Sequence, residues 1–361
     1  MDRRSFLTTS AVGGTAAAAA CGLAAPAYAQ GKRTLTLVTT WGRGLAGVHD
    51  AAQRCADTIT AMTDGQLTVD LRAAGELVGA FEVFDAVTAG HADMYHGADF
   101  YFVSQHPGYQ YFTGVPFGMT AQELANWYYH DEGHALHDEL GQIFGLKTFL
   151  AGNTGAQAGG WFAKEINTPE DFQGLKFRMP GMGGQALGKM GASVQNLPGA
   201  EVYRALASGA IDGAEWIGPW ADEKAGFFEI TKIYYTAGFH EPGAGLSLAT
   251  NRDVFDELPP AHRKVIEIAA GETHQWNLAQ FLMNNGAALQ RLQANGVKVL
   301  NFPDVVWDAM GAAAKATLDE YMDDDLFVRI RTSMERSMRA SSDWIDASEG
   351  QYRRQRDRIL G

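Results

Sequence analysis

Two stretches carry the reading of this chain: Phe84-Asp-Ala-Val-Thr-Ala-Gly-His-Ala-Asp93 and Tyr203-Arg-Ala-Leu-Ala-Ser-Gly-Ala-Ile-Asp212. Ala86 aligns with Ala205, Gly90 with Gly209 and Asp93 with Asp212. Each predicts a helix, a glycine that turns the chain, and a strand entered at the aspartate. The strands continue as Met94-Tyr-His96 and Gly213-Ala-Glu-Trp216. Ligands of open α/β sheets bind outside the carboxyl ends of parallel strands. Two facing units of this kind bring His96 and Glu215-Trp216 to one shared cleft.

Working outward, Thr34 to Thr40 alternates and is β-branched, which predicts a strand. A helical stretch from His49 to Met62 and a strand from Leu67 to Leu71 follow. A second series begins near Leu146, with strands at Lys147–Asn153, Gly160–Ala163, Leu175–Met179 and Ser193–Leu197 and short helices at 183–190 and 200–208. Alternation of this type predicts an α/β protein with largely parallel sheets. Pro259-Pro260 opens a helical pattern that runs to Asn295-Gly296. At 1.5 Å per residue it is about 54 Å long, more than one lobe can hold, so it spans both. Two more helical stretches run from Val306 to Tyr321 and from Leu326 to the C-terminus.

The chain has 361 residues, enough for two lobes, and 46% of them are hydrophobic. Arg3-Arg4-Ser5-Phe6-Leu7 followed by an Ala/Gly stretch and Ala27-Tyr28-Ala29 reads as a twin-arginine leader over residues 1–29, cleaved before Gln30. Removing Asp2, Arg3 and Arg4 takes the formal charge from −13 to −14. That acidity excludes nucleic acid as a partner, and an anionic ligand needs local positive charge at its site. Cys55 is the one cysteine left after cleavage, so no intrachain disulfide forms.

Arg178 sits at the end of a predicted strand, where a rigid guanidinium suits bidentate capture of a carboxylate. Its ordinary alternative is a structural salt bridge. Glu215 lies in an apolar run and needs a partner, either Arg178 or a bound cation. Phe100-Tyr101-Phe102 is either a pocket wall or core. Gly181-Met-Gly-Gly-Gln-Ala-Leu-Gly188 has dinucleotide-like spacing, but the next strand does not end in an acidic residue. His130, His134 and His137 recur at helical spacing around Glu132, in an order that differs from the zinc-protease motif.

The segment Glu201-Val-Tyr-Arg-Ala-Leu-Ala-Ser-Gly-Ala-Ile-Asp-Gly213, with Leu175-Lys-Phe-Arg178, resembles the signature of solute-binding subunits of tripartite ATP-independent periplasmic (TRAP) transporters. The resemblance covers the mature chain. Glu215-Trp216, Gly152-Asn-Thr-Gly-Ala-Gln157 and Asp222-Glu-Lys-Ala-Gly-Phe-Phe228 resemble the branch that takes 2-oxo or 2-hydroxy acids together with a cation. It implies a two-lobed α/β periplasmic binding fold with a hinge cleft, no enzymatic activity, and docking to a membrane permease. It also implies a homodimer through the C-terminal helices. The implied lobes are 30–152 with 217–245, and 153–216 with 246–300, followed by C-terminal helices over 301–361. The implied ligand contacts are Arg178, Asn153, Gln157 and Trp216; the shared cleft and the aromatic run add His96 and Tyr101 from the first lobe. The implied ligands of a Na⁺ or Ca²⁺ ion are Gln157, Glu215, the Trp216 carbonyl and Glu241. Two segments depart from the branch pattern: His96-Gly-Ala-Asp-Phe-Tyr-Phe102 and His240-Glu241. The rival readings are a periplasmic cofactor- or zinc-dependent enzyme and a ligand sensor for a membrane receptor.

Overall fold

Asp93 and Asp212 do the same work at the same place in two sheets. The Asp93 amide donates to the Thr36 carbonyl at 3.1 Å, and its carboxylate accepts from the Thr36 amide at 2.7 Å. Asp212 makes the same pair of bonds with Lys176, at 2.7 and 2.9 Å. Each aspartate thus stitches an incoming strand to its parallel neighbour. Gly90 and Gly209 precede them with φ of 75° and 71°, left-handed values that suit glycine.

The computed structural model describes residues 31–361, so the expected leader and cleavage site lie outside the described residues. Among the described residues, eleven strands make two sheets. In chain order they are β1 (Arg33–Thr39), β2 (Leu67–Arg72), β3 (Met94–Gly97), β4 (Leu146–Asn153), β5 (Gly160–Phe162), β6 (Lys176–Arg178), β7 (Ser193–Gln195), β8 (Gly213–Ala214), β9 (Ile233–Tyr235), β10 (Gly245–Asn251) and β11 (Lys298–Leu300). The first sheet has the order β2-β1-β3-β10-β4 and the second β11-β9-β5-β8-β6-β7. In the first, β2, β1 and β3 are parallel; in the second, β7, β6 and β8 are. An antiparallel strand then continues each sheet, β10 beside β3 and β5 beside β8. The expected equivalence of the two units is present in topology as well as in sequence.

The chain passes between the sheets three times. Residues 154–159 lead from β4 to β5, residues 236–244 return from β9 to β10, and the helix Pro260–Ala294 leads toward β11. That 35-residue helix packs along β4 and also against the helix Pro219–Ala225 that follows β8, so it bridges both lobes. Asn285 Oδ1 accepts from the Trp220 amide at 3.0 Å, and Arg291 pairs with Glu223. The allocation of the strand residues 233–235 and 246–251 differs from expectation. The strand at 233–235 joins the second sheet and that at 245–251 joins the first. Seven residues of β10, nearly all buried, fill the gap between β3 and β4. Strand periodicity cannot say which of two sheets a segment enters, because both offer it the same pattern.

The expected histidine face is broken. One helix ends at His130 and the next starts at Gly133, so the three residues do not share one helix. His137 turns into the first lobe, 3.0 Å from Asp99, while His134 packs on Tyr128 and Phe149. Among the described residues no group of three His, Cys, Asp or Glu is placed to hold a metal ion. The glycine run forms the helix Gly181–Lys189, but the amide of Met182 at its start is bound by Gln110 of the first lobe at 2.9 Å. A phosphate would have to displace that side chain. Cys55 is fully buried in the helix Val48–Met62, and burial pushes its thiol up to about 12.

Candidate functional site

Arg178 is the last residue of β6 and stands beside Ala214 of the parallel β8, so Glu215 follows directly at the carboxyl end of the neighbouring strand. Both side chains are buried. The Arg178 guanidinium donates from Nε to the Leu197 carbonyl at 3.1 Å and from Nη1 to the Glu215 carbonyl at 3.0 Å. Nη1 also bonds the Glu215 carboxylate, and Nη2 reaches the Tyr101 hydroxyl of the first lobe at 3.3 Å. Burial works against the Arg178 charge, yet Glu215, Tyr101 and Glu241 hold its pKa above the ordinary value. The Trp216 ring lies under the guanidinium at 5.4 Å. Gly199 makes that packing feasible, because a Cβ there would sit 2.1 Å from the indole.

The two short inter-sheet segments supply the rest. Gln157 donates its amide to the Glu241 carbonyl at 3.0 Å, and Thr154 donates its amide to Ala244 at 2.9 Å. The segments are thereby zipped together, and they bring Gln157 and Glu241 to the hinge beside Arg178. The Gln157 amide nitrogen donates to Thr154 Oγ1 at 3.2 Å, but Gln157 Oε1 and Glu241 Oε2 are buried without a hydrogen-bond partner. Burial raises the Glu241 carboxyl well above the usual range; the Glu215 charge adds to this and Arg178 opposes it. His240 reaches the second Glu215 oxygen at 3.3 Å. A buried oxygen with nothing to bind is costly, and both of these oxygens have room to accept a further partner. Hard oxygen donors of this type suit Na⁺ or Ca²⁺.

A cavity over these groups is lined by residues of both lobes. Arg178, Gln157, Trp216, Tyr101 and Glu241 all line it. Three expected site residues do not, the first being Glu215, whose carboxylate faces Arg178 and His240. His96 stands behind the wall with both ring nitrogens engaged, by the Trp41 indole at 2.9 Å and the Ala151 carbonyl at 3.1 Å. Asn153 turns back on its own chain and accepts from the Gly155 amide at 2.7 Å. Sequence reasoning missed Trp41 and Thr154, which do line the cavity. Trp41 follows the carboxyl end of β1, and the rule that singled out Glu215 applies to it equally.

Two lobes joined by a zipped hinge around a cavity lined from both sides are the architecture of a two-lobed solute-binding protein. The family model for bacterial extracellular solute-binding proteins, family 7, matches residues 41–325, and the chain belongs to that family. It is 39% identical over 283 residues to a monocarboxylate 2-oxoacid-binding periplasmic protein of Nostoc sp., covering 78% of this chain and 77% of that one. A TRAP periplasmic solute-binding protein from Pseudoalteromonas atlantica, crystallised with sodium and pyruvate, is 37% identical with a TM-score of 0.86; the match covers 89% of this chain and 98% of that one. Its counterpart from Colwellia psychrerythraea, with calcium and pyruvate, is 34% identical with a TM-score of 0.87, covering 90% and 99%. The family is one of binding proteins, not enzymes.

Proposed function

We propose that this protein is the periplasmic solute-binding subunit of a TRAP transporter, and that it captures a small 2-oxo or 2-hydroxy monocarboxylate together with Na⁺ or Ca²⁺. The observation that carries the reading is the pair of buried, unpartnered oxygens, Gln157 Oε1 and Glu241 Oε2, beside the Arg178–Glu215 pair in a closed cleft. Arg178 holds the ligand carboxylate, with Tyr101 from the opposite lobe sharing its guanidinium. Gln157, Glu215, Glu241 and the Trp216 carbonyl hold the cation. A bound cation supplies the positive charge that lets a carboxylate lie beside two acidic side chains in a low-dielectric cleft. Contacts from both lobes favour the closed state.

The named relatives bind 2-oxoacids or pyruvate, two of them with an ion. That similarity supports the ligand class here. Export through the twin-arginine leader with cleavage before Gln30, delivery to the membrane permease, and a homodimer through the C-terminal helices complete the proposal. Exposed Trp344, Tyr352 and Leu360 on those helices supply apolar surface for a second copy.

Calorimetric titration of the mature protein, unfolded and refolded to strip ligand, tests the reading. A panel of 2-oxo and 2-hydroxy acids is titrated in sodium buffer, in potassium buffer with chelator, and with added calcium. Cation-dependent binding of a monocarboxylate is expected. Silence across the panel, or binding indifferent to the cation, would sink it.

A further inference from the structure

We infer that Trp41, held in place by His96, is the wall that limits the length of the ligand's side chain, so that the site selects short, apolar monocarboxylates. The inference rests on the carboxylate-binding reading above and concerns the other end of the same cavity.

The cavity is divided in character. Arg178, Gln157 and Glu241 supply its charged and amide groups; the first lobe lines it with Trp41, Val48, Ala98, Phe100 and Leu246, and adds two hydroxyls that are already engaged, Tyr101 with Arg178 and Thr113 with the Asp99 amide. No Lys or Arg other than Arg178 lines the cavity, and Arg178 is already paired with Glu215. A ligand whose carboxylate lies on Arg178 therefore directs its remaining carbons toward Trp41. A second carboxylate placed there would be desolvated without a partner, so dicarboxylates are rejected.

Trp41 is a fixed wall. Its indole N–H donates to His96 Nδ1 at 2.9 Å, and the opposite ring nitrogen of His96 faces the Ala151 carbonyl at 3.1 Å. Those partners require the neutral ring with its proton on Nε2. Burial keeps it so, lowering His96 to about 4. The backbone is tied to the same residue. The Trp41 amide donates to Thr39 Oγ1 at 3.3 Å, and that hydroxyl donates to the His96 carbonyl at 2.8 Å. On its other side the indole meets Tyr101 at 6.3 Å between ring centres, and Tyr101 packs on Phe81 at 4.7 Å. Neither ring can swing aside without breaking a buried hydrogen bond, so a longer side chain meets resistance and not a yielding surface. His96 is thus a positioning residue acting through Trp41, although it does not reach the cavity itself.

The test is a chain-length series of pyruvate, 2-oxobutanoate, 2-oxopentanoate and 2-oxohexanoate, titrated into wild type, Trp41→Phe, His96→Leu and His96→Gln. Wild-type affinity is expected to fall along the series. Trp41→Phe and His96→Leu should shrink the preference for pyruvate over 2-oxohexanoate by at least about ten-fold, the discrimination a methylene or two commands in a rigid apolar pocket. His96→Gln can accept from the indole and donate to Ala151, and should restore most of the preference. Trp41→Phe leaves His96 in place, so it decides the matter should His96→Leu fail to fold. Variants that weaken all four ligands by one common factor, or leave the ratio unchanged, overturn the wall while the carboxylate reading stands. Wild type that binds neither this series nor the matching 2-hydroxy acids, with sodium or calcium present, overturns both.

Discussion

Asp222 and Glu241 are both buried carboxylates close to the site, and they are built in opposite ways. Asp222 accepts from the Trp161 indole at 2.9 Å, from the Tyr234 hydroxyl at 3.1 Å, and from the Ile217 and Gly218 amides at 3.1 Å each. It gathers β5, β9 and the turn after Trp216 into one knot. Glu241 sits on the hinge with Oε2 unpartnered and a second acid, Glu215, raising its pKa further. Both lie in chain segments that look alike on paper, each an acidic residue among Gly, Pro and aromatics. The difference teaches that a buried acid with its donors in place holds the fold, whereas the shortage of donors at Glu241 fits the ion-binding role proposed for it.

The largest expected effect is at Arg178, which belongs to both worlds. Arg178→Ala leaves Glu215 buried without its guanidinium partner, so unfolding by urea should show a loss of about 3–5 kcal/mol. Titration of the folded remainder should show affinity lower by about 2 kcal/mol or more. Binding as tight as wild type would make Arg178 a structural residue of the Asp222 kind and would erase the contrast.

Asp222 sharpens it from the other side. Burial pushes its carboxyl up to about 7 against the four donors that pull it down. The unfolded carboxyl releases its proton near 3.8. Between those values the folded chain holds a proton that the unfolded chain has lost. Its contribution to stability is therefore complete at the acid end and declines as pH rises toward 7, by up to about 1.4 kcal/mol per unit. Asp222→Asn has no such proton, so its unfolding free energy should lack that slope relative to wild type. Parallel pH profiles for the two chains would mean that the four donors keep Asp222 ionised throughout.

Glu241 predicts pH dependence in binding. The empty site keeps its carboxyl protonated above the usual range, and a cation needs the carboxylate. Capture then releases a proton, and affinity should rise with pH by up to about ten-fold per unit until the empty-site pKa is passed. Glu241→Gln should bind more weakly and lose that dependence, measured by calorimetry across pH. A profile unchanged by the substitution would place Glu241 among the structural acids. The smallest expected effect lies far from either carboxylate. Truncation after Ile345 should convert dimer to monomer in light scattering and leave the affinity of each site within about two-fold, since residues 346–361 are largely exposed and do not line the cavity.

Much of the architecture was legible because it is local. The helix–glycine–strand units at 84–96 and 203–216 announce themselves through a turn that suits glycine and an aspartate that ties strand to strand. The long helix needed only Pro259-Pro260 at one end and Asn295-Gly296 at the other. Arg178 and Glu215 were legible because each sits at the carboxyl end of a parallel strand. Trp41 met the same criterion and was passed over, since an aromatic after a strand reads equally well as core. His96 met it too, yet the structure turns its ring to Trp41 and Ala151. The histidine spacing at 130–137 assumed one continuous helix, which Asp131 and Glu132 interrupt.

The sequence by itself determined the α/β class, the doubled unit, the bridging helix and the positions of Arg178 and Glu215. All of these follow from short-range periodicity and from residue types that tolerate few backbone states. Only the tertiary structure decided that β10 enters the first sheet and β9 the second, that Asp222 finds four donors, and that Gln157 Oε1 and Glu241 Oε2 find none. Those outcomes depend on what arrives from elsewhere in the chain, and a polar atom's partners are set by three-dimensional proximity, which spacing along the sequence does not encode.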